Sequence, residues 1–374
     1  MIKVLSVFGT RPEAVKMAPV VRALAQNKNI HSHVCVTAQH RQMLDQVLDL
    51  FEIEPDYDLD LMRDDQTLPA LSAAIFTHLD PVLEKFKPDW VLVQGDTTTV
   101  AITALLSYYR RIRVGHVEAG LRTHDKWQPF PEEINRRVAS VTADLHFAPT
   151  EWARKNLLRE NTPEQAIVVT GNPVIDALKF VGSQPEPDEV TKLIRELGIG
   201  DQETRRLILV TAHRRENFGV PLEAICFALK ELASRGDVEI VYPVHLNPNV
   251  QKPAHRILKN VPHITLLPPL DYLPLVHLMK RSTLILTDSG GIQEEAPTFG
   301  VPVLVLREVT ERPEGVEAGT LKLVGTDTRR IVREANRLLD DPSAYAAMAR
   351  AANPFGDGRA AEKIVQALLD YRNP

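Results

Sequence analysis

The chain has 374 residues, enough for two domains at about 150 residues each. Its composition, 44% hydrophobic, 25% charged and 6% aromatic, excludes a disordered or fibrous chain. Lys and Arg number 44 against 49 Asp and Glu, a net charge of -5, which excludes a broad basic footprint for nucleic acid.

Two cysteines, Cys35 and Cys226, lie far apart inside apolar segments. A disulfide framework needs more of them, so a reducing compartment is expected. The apolar run at 4–8 is too short for a signal peptide and is followed at once by Arg11, Glu13 and Lys16. No stretch approaches ~18 apolar residues, so the expectation is a cytoplasmic protein with no membrane span.

Short β-branched runs alternate with amphipathic segments, the pattern of parallel strands joined by crossover helices. In the first half, strands are predicted at 4–8, 33–37, 90–94, 113–117 and 167–170. Met17, Val20, Val21 and Leu24 recur at helical spacing after the first, and Met43, Leu44, Val47, Leu48 and Phe51 after the second. Strands at 207–211, 238–243, 264–267, 284–287 and 302–306 repeat the scheme. Cys226 falls on the buried stripe of Leu222, Ile225, Leu229 and Leu232, a packing position. The fold class is therefore α/β, two Rossmann-like doubly wound parallel-sheet domains in series. The Gly171-Asn172-Pro173 break separates a first domain at 1–170 from a second at 171–356. A last helix at 357–374, with Ile364, Leu368 and Leu369 on one face, is expected to cross back to the first domain.

Ligands in such sheets bind beyond the carboxyl ends of the strands, so the residues just after each strand carry the chemistry. The first turn, Gly9-Thr10-Arg11-Pro12-Glu13, has the spacing of a capping box with proline in the first helical turn. It places Arg11 and, a turn on, Lys16 at a helix N-terminus suited to an anion. A well-capped helix with a surface arginine is the plainer alternative. The G-x-G-x-x-G spacing of a nicotinamide dinucleotide site is absent. Thr287-Asp288-Ser289-Gly290-Gly291 opens a second helix, and its glycines let backbone amides approach a diphosphate. Glu294 and Glu295 follow where a carboxylate can accept from ribose hydroxyls; a tight turn with an acidic first turn is the alternative.

Three carboxylates stand at strand ends of the first half: Asp96 after 90–94, Glu118 after 113–117, and Glu132 beside Glu133. Each has a simpler reading, Asp96 as an N-cap and Glu118 as a partner of Arg122. Three acids at one sheet edge raise one another's pKa, a cost that points to use as acid, base or cation stabiliser. The second half contributes His213 in His213-Arg214-Arg215-Glu216, and His245. A histidine at a strand end can donate a proton or stabilise leaving-group charge. No His, Cys or Asp cluster has zinc spacing and no acidic ladder suggests magnesium, so neither metal nor cofactor is expected.

Seven segments carry a resemblance: residues 8–13 (Phe-Gly-Thr-Arg-Pro-Glu), 38–41 (Ala-Gln-His-Arg), 95–98 (Gly-Asp-Thr-Thr), 115–123 (Gly-His-Val-Glu-Ala-Gly-Leu-Arg-Thr), 131–136 (Pro-Glu-Glu-Ile-Asn-Arg), 287–291 and 310–314 (Thr-Glu-Arg-Pro-Glu). In this order, across nearly the whole chain, they resemble the bacterial non-hydrolysing UDP-N-acetylglucosamine 2-epimerases. The resemblance implies the glycosyltransferase-B arrangement of two Rossmann-like domains, a homodimer, and interconversion of UDP-N-acetylglucosamine and UDP-N-acetylmannosamine for surface polysaccharides. It implies acid/base roles for Asp96, Glu118 and Glu132 and diphosphate contacts for Arg11, His213, Ser289, Gly290 and Gly291. Lys16, Glu295 and Arg312 match further substrate-contacting positions. Gln39, Gln42 and His245 match a second, regulatory nucleotide-sugar site, at which Asp65 replaces a residue that is basic in some members. Leu275 stands where some relatives place an aromatic residue near the uracil.

Alternatives to this activity are a hydrolysing epimerase releasing UDP and free N-acetylmannosamine, a transferase of glycosyltransferase-B type, and a nucleotide-sugar sensor that would not need the three acids.

Overall fold

A computed structural model describes residues 1–37, 41–61, 63, 65–199 and 205–371, with the backbone alone at 41–43. Gln39 and the side chain of Gln42 lie outside the described residues. The chain divides into two compact units, one of residues 1–177 and 355–374, the other of 178–354.

The first unit is built on seven parallel strands: β1 (Ile2–Phe8), β2 (Ile30–Val36), β3 (Tyr57–Asp58), β4 (Trp90–Gln94), β5 (Arg113–Val117), β6 (Leu145–Ala148) and β7 (Ile167–Val169). Their order is β3-β2-β1-β4-β5-β6-β7. Six more parallel strands make the second: β8 (Arg206–Thr211), β9 (Val238–Pro243), β10 (Ile264–Leu267), β11 (Leu284–Thr287), β12 (Val303–Val305) and β13 (Leu321–Leu323), ordered β10-β9-β8-β11-β12-β13. Both are doubly wound sheets, and each has a switch point where the strand order reverses, between β1 and β4 and between β8 and β11.

Helices cover both faces of these sheets, so central strands are apolar throughout: Val91, Leu92 and Val93 are wholly buried, as are Leu207, Ile208, Leu209 and Val210. Cys35 and Cys226 are free and buried within this packing, and burial pushes both thiols up to about 12. They are packing residues, not nucleophiles.

The expected strands all form, some a few residues longer or shorter, and three more appear. β3 and β13 have only two and three residues, too short to show a pattern. β6 is interrupted by a buried histidine, His146, so its apolar run is broken in the sequence.

The chain leaves the first unit inside the helix Pro173–Ser183, between Ala177 and Leu178, later than the Gly171-Asn172-Pro173 break. The start of that helix is tied to the returning C-terminal segment. The Asn172 N–H donates to the Phe355 carbonyl at 2.7 Å, and a side chain on Gly171, at φ +86°, would sit 3.1 Å from the Gly356 Cα. Asp176 then accepts from the N–H groups of Ala360 and Ala361 at 3.1 and 2.9 Å, capping the last helix, Ala360–Asp370. That helix packs on the helix Arg11–Gln26, and Tyr371 beyond it meets Trp90 edge to face at 4.9 Å.

Candidate functional site

The polar residues after β1, β4 and β5 gather at the switch point of the first sheet. Thr10 caps the helix Arg11–Gln26 in extended conformation and the capping box forms, the Glu13 N–H donating to Thr10 Oγ1 at 3.5 Å and the Thr10 N–H to Glu13 Oε2 at 2.7 Å. Arg11 occupies the first helical position. Gly9 is required by close approach, since a Cβ there would lie 2.0 Å from Thr37 Oγ1.

Asp96 and Glu118 follow strands whose ends are paired, Gln94 opposite Val117. Asp96 accepts from the Arg136 guanidinium. Glu118 is buried and holds a left-handed backbone, φ +63°. Its carboxylate receives Lys16 Nζ at 2.7 and 2.5 Å, the Gln94 side-chain amide and Asn172 Nδ2 at 3.4 Å. Arg122 is not its partner. That guanidinium reaches Glu160 at 2.9 and 2.7 Å, so the local pairing of Glu118 with Arg122 is set aside.

Glu132 and Glu133 begin the helix Glu132–Thr142 and differ completely in environment. Glu133 is buried and accepts from the N–H groups of Thr123 and His124, at 3.1 and 3.2 Å, and from Arg136 and Arg137. Burial raises its pKa, but these donors outweigh it and hold the carboxyl below the usual range. It fixes the loop. Glu132 is half-buried, and its Oε2 has no hydrogen-bond partner among the described residues. Beneath this edge His116 donates from Nε2 to the Gly95 carbonyl at 2.7 Å. Burial pushes that imidazole down to about 4, so it is neutral at neutral pH.

At the second switch point, the wholly buried Asp288 accepts from the N–H groups of His213, at 3.0 and 2.9 Å, and Arg214, at 2.8 Å, and from Asn217 Nδ2 at 3.0 Å. One carboxylate thus ties the loop after β8 to the loop after β11. The His213 ring lies parallel to His245 with centroids 5.5 Å apart, and burial lowers its pKa. His245, matched in sequence to a regulatory site, is therefore a direct neighbour of His213.

Ser289 precedes the short helix Gly290–Glu295 and makes no side-chain cap. A Cβ on Gly290 would stand 3.3 Å from the Arg312 guanidinium carbon and 3.4 Å from Arg214 Nη2. Two cations therefore border the amides that open this helix, an arrangement suited to a phosphate group. Arg214 was not singled out from sequence, although two basic residues after a strand end are a visible signal. Arg312 Nε donates to Glu294 Oε1 at 2.7 Å, so one oxygen of Glu294 holds an arginine. Glu295 accepts from the Tyr272 hydroxyl at 3.3 Å. Tyr272 lies one helical turn before Leu275 and supplies an aromatic ring on that helix.

Among the described residues no cluster of His, Cys, Asp or Glu is placed to hold a metal ion. Among those same residues no helix is long and apolar enough to cross a membrane. Asp65 is exposed in the loop ahead of the helix Leu68–Phe86.

These features define a protein of two Rossmann-like α/β domains, with carboxylates at one switch point and two arginines beside a glycine-rich helix start at the other. Residues 22–369 match the sequence family described as UDP-N-acetylglucosamine 2-epimerase. The chain is 57% identical over 374 residues to the UDP-N-acetylglucosamine 2-epimerase of Yersinia pestis, with 99% of each chain covered. To the enzyme of the same name from Escherichia coli strain K12 it is 56% identical over 375 residues, again with 99% of each covered. The crystal structure of UDP-GlcNAc 2-epimerase from Neisseria meningitidis bound to UDP-GlcNAc superposes with a TM-score of 0.90 at 50% identity, covering 99% of this chain and all of that one. The chain belongs to the UDP-N-acetylglucosamine 2-epimerase family.

Proposed function

We propose that this protein interconverts UDP-N-acetylglucosamine and UDP-N-acetylmannosamine without net hydrolysis. The observation that carries the reading is that Asp96 and Glu118 stand just beyond the ends of two adjacent, paired strands, in a family whose named members act on this substrate.

The C2 hydrogen of the sugar is not next to a carbonyl, so its direct removal would leave an unstabilised carbanion. Departure of the neighbouring leaving group removes that difficulty. The C2–H bond breaks with the proton passing to a carboxylate, its electron pair forms the C1–C2 double bond, and the C1–O bond breaks with its pair leaving on UDP. The product pair is 2-acetamidoglucal and UDP. Readdition of UDP at C1, with protonation at C2 from the opposite face, gives the epimer. Nothing is oxidised or reduced overall, so the scheme requires no cofactor.

Arg11, His213, Arg214, Arg312 and the N–H groups at 289–291 suit stabilisation of the departing diphosphate, where preorganised donors are most effective. Asp96, Glu118 and Glu132 suit the developing positive charge at C1 and the proton transfers at C2, and inversion requires proton access to both faces. Glu118, ringed by Lys16, Gln94 and Asn172, is suited to remain ionised. The family resemblance supports a cytoplasmic homodimer that supplies mannosaminyl units for surface polysaccharide, and a regulatory role for Gln39, Gln42 and His245.

Incubation with UDP-N-acetylglucosamine in deuterated water, followed by NMR, tests the reading. Deuterium at C2 in two UDP-sugars is expected. Accumulation of UDP and free N-acetylmannosamine would establish a hydrolysing enzyme instead, and an unlabelled C2 would remove the epimerase reading.

A further inference from the structure

Glu13 reads from sequence as half of a capping box, and in the structure it does more. The residue is 2% exposed. Oε2 accepts from the N–H groups of Gly9 at 3.0 Å and Thr10 at 2.7 Å, the two residues before Arg11. Oε1 accepts from the Thr97 hydroxyl at 2.7 Å, 84 residues away and directly after Asp96. A capping box needs only the first kind of contact. The second joins two strand-end loops across the switch point.

We propose that Glu13 is a positioning residue that fixes Arg11 and Asp96 relative to each other through its hydrogen bond to Thr97. The inference rests on the functional reading above. Thr97 is the N-cap of the helix Thr98–Tyr109, and its Oγ1 accepts from the Val100 N–H at 3.4 Å. Its single hydroxyl proton is therefore the one given to Glu13, and the lone pair facing Val100 is set by that bond. On the other side of Asp96, the Gly95 carbonyl is held by His116 Nε2 at 2.7 Å. Both neighbours of the acid are thus pinned by buried side chains from adjacent strand ends. Among the described residues three N–H or O–H donors, from Gly9, Thr10 and Thr97, meet the Glu13 carboxylate. Burial pushes this carboxyl upward, and the bonds from Thr97, Thr10 and Gly9 oppose that shift.

An amide at position 13 cannot accept at both ends. In Glu13→Gln the Nε2 group meets either the Gly9 and Thr10 N–H groups, a donor against donors, or Thr97 Oγ1, whose proton must then turn away from position 13 and find another acceptor while the oxygen still caps Val100. Both cases remove a donor–acceptor bond that ties the loop of Arg11 to the loop of Asp96, and displacement of about 1 Å costs about 10²-fold in rate.

The test uses the full-length protein and four variants, assayed below each melting transition for C2 deuterium incorporation and for UDP affinity. Thr97→Val is expected to lower kcat by about 10–10²-fold while KM and the UDP Kd stay within about threefold; Glu13→Gln, which also disturbs the N–H contacts ahead of Arg11, is expected to lower kcat by a similar factor and to weaken UDP as well. Thr97→Ser restores the hydroxyl and should restore kcat. The double variant Glu13→Gln/Thr97→Val should be no slower than its slower parent, because both changes break one link. If Glu13→Gln does not fold, the Thr97→Val and Thr97→Ser pair decides alone. Unchanged kcat in Thr97→Val, an equally slow Thr97→Ser, or losses that multiply in the double variant would each overturn the proposal while the labelled wild type upholds the epimerase reading. A wild type that leaves C2 unlabelled removes both.

Discussion

Lys16 and Glu118, 102 residues apart in sequence, meet with the lysine ammonium 2.7 and 2.5 Å from the two carboxylate oxygens. The glutamate side chain is 3% exposed and the lysine 19%, so this is a largely desolvated pair. Removing one member of such a pair strands the other charge. Lys16→Met is therefore expected to destabilise the first unit by about 2–4 kcal/mol, toward the lower part of the usual range because the lysine is partly solvated. The double variant Lys16→Met/Glu118→Gln should recover part of that loss. Urea denaturation of the four proteins measures the coupling; strictly additive losses would show that the two groups stand independently.

Glu132 and Glu133 are neighbours with opposite expected phenotypes. Glu133 is surrounded by two backbone N–H groups and two guanidiniums, so Glu133→Gln should lower stability. Glu132 bears an oxygen with no hydrogen-bond partner among the described residues. Glu132→Gln should keep near-normal stability while kcat falls by about 10²–10³-fold, as should kcat in Asp96→Asn and Glu118→Gln. Steady-state rates and thermal melts on the same preparations separate the two effects. Near-normal turnover in all three would remove these acids from the chemistry.

His116 gives the acid limb of the stability profile a definite sign. Burial lowers its pKa from 6.5 to about 4 in the folded protein. As pH falls below 6.5 the unfolded chain takes up a proton that the folded chain refuses. The His116 contribution is therefore intact above pH 6.5 and is lost between 6.5 and about 4, amounting to at most about 3 kcal/mol. His146, lowered to about 3 by the same cause, acts in the same direction. His116→Gln keeps a donor for the Gly95 carbonyl but does not titrate there. Denaturant curves across this window should show a shallower pH slope for that variant, and an unchanged slope would mean that His116 does not contribute to it.

The elements that the sequence makes legible are those with both local pattern and local punctuation. β4 and β11 run as expected because they are largely apolar, centrally placed and followed by a Gly or Asp turn. The capping box at Thr10 and Glu13 was equally legible, since all its atoms lie within one turn. Partners distant in sequence were not. Pairing Glu118 with Arg122 uses the four-residue rule of a helix surface, but Glu118 sits in a loop at φ +63°, where that rule has no geometric basis. Its true partner becomes visible only when β1 and β5 flank β4 in the sheet. Asp288, whose position in a Thr-Asp-Ser-Gly-Gly turn suggested only a phosphate loop, instead ties that loop to His213 and Arg214. No local rule distinguishes an acid that meets a ligand from one that organises the backbone around it.

Gly290 provides a test of the anion cradle that leaves every charged group in place. A methyl at this position would lie 3.3 Å from the Arg312 guanidinium and 3.4 Å from Arg214 Nη2, in each case the far end of a flexible side chain. Gly290→Ala should therefore fold, because both arginines can shift by a few tenths of an ångström. Alanine is also a better helix former than glycine, which offsets part of any strain. The guanidiniums, however, are displaced from the amides that open the helix Gly290–Glu295, and Cβ occupies the space through which a phosphate oxygen would approach. UDP affinity should fall by about tenfold or more, equivalent to about 1.4 kcal/mol, with the melting temperature of the free protein within a few degrees of wild type. Arg214→Gln should weaken UDP in the same direction by removing a charge-assisted hydrogen bond. Calorimetric titration with UDP measures both, and wild-type affinity in the two variants would place the diphosphate elsewhere.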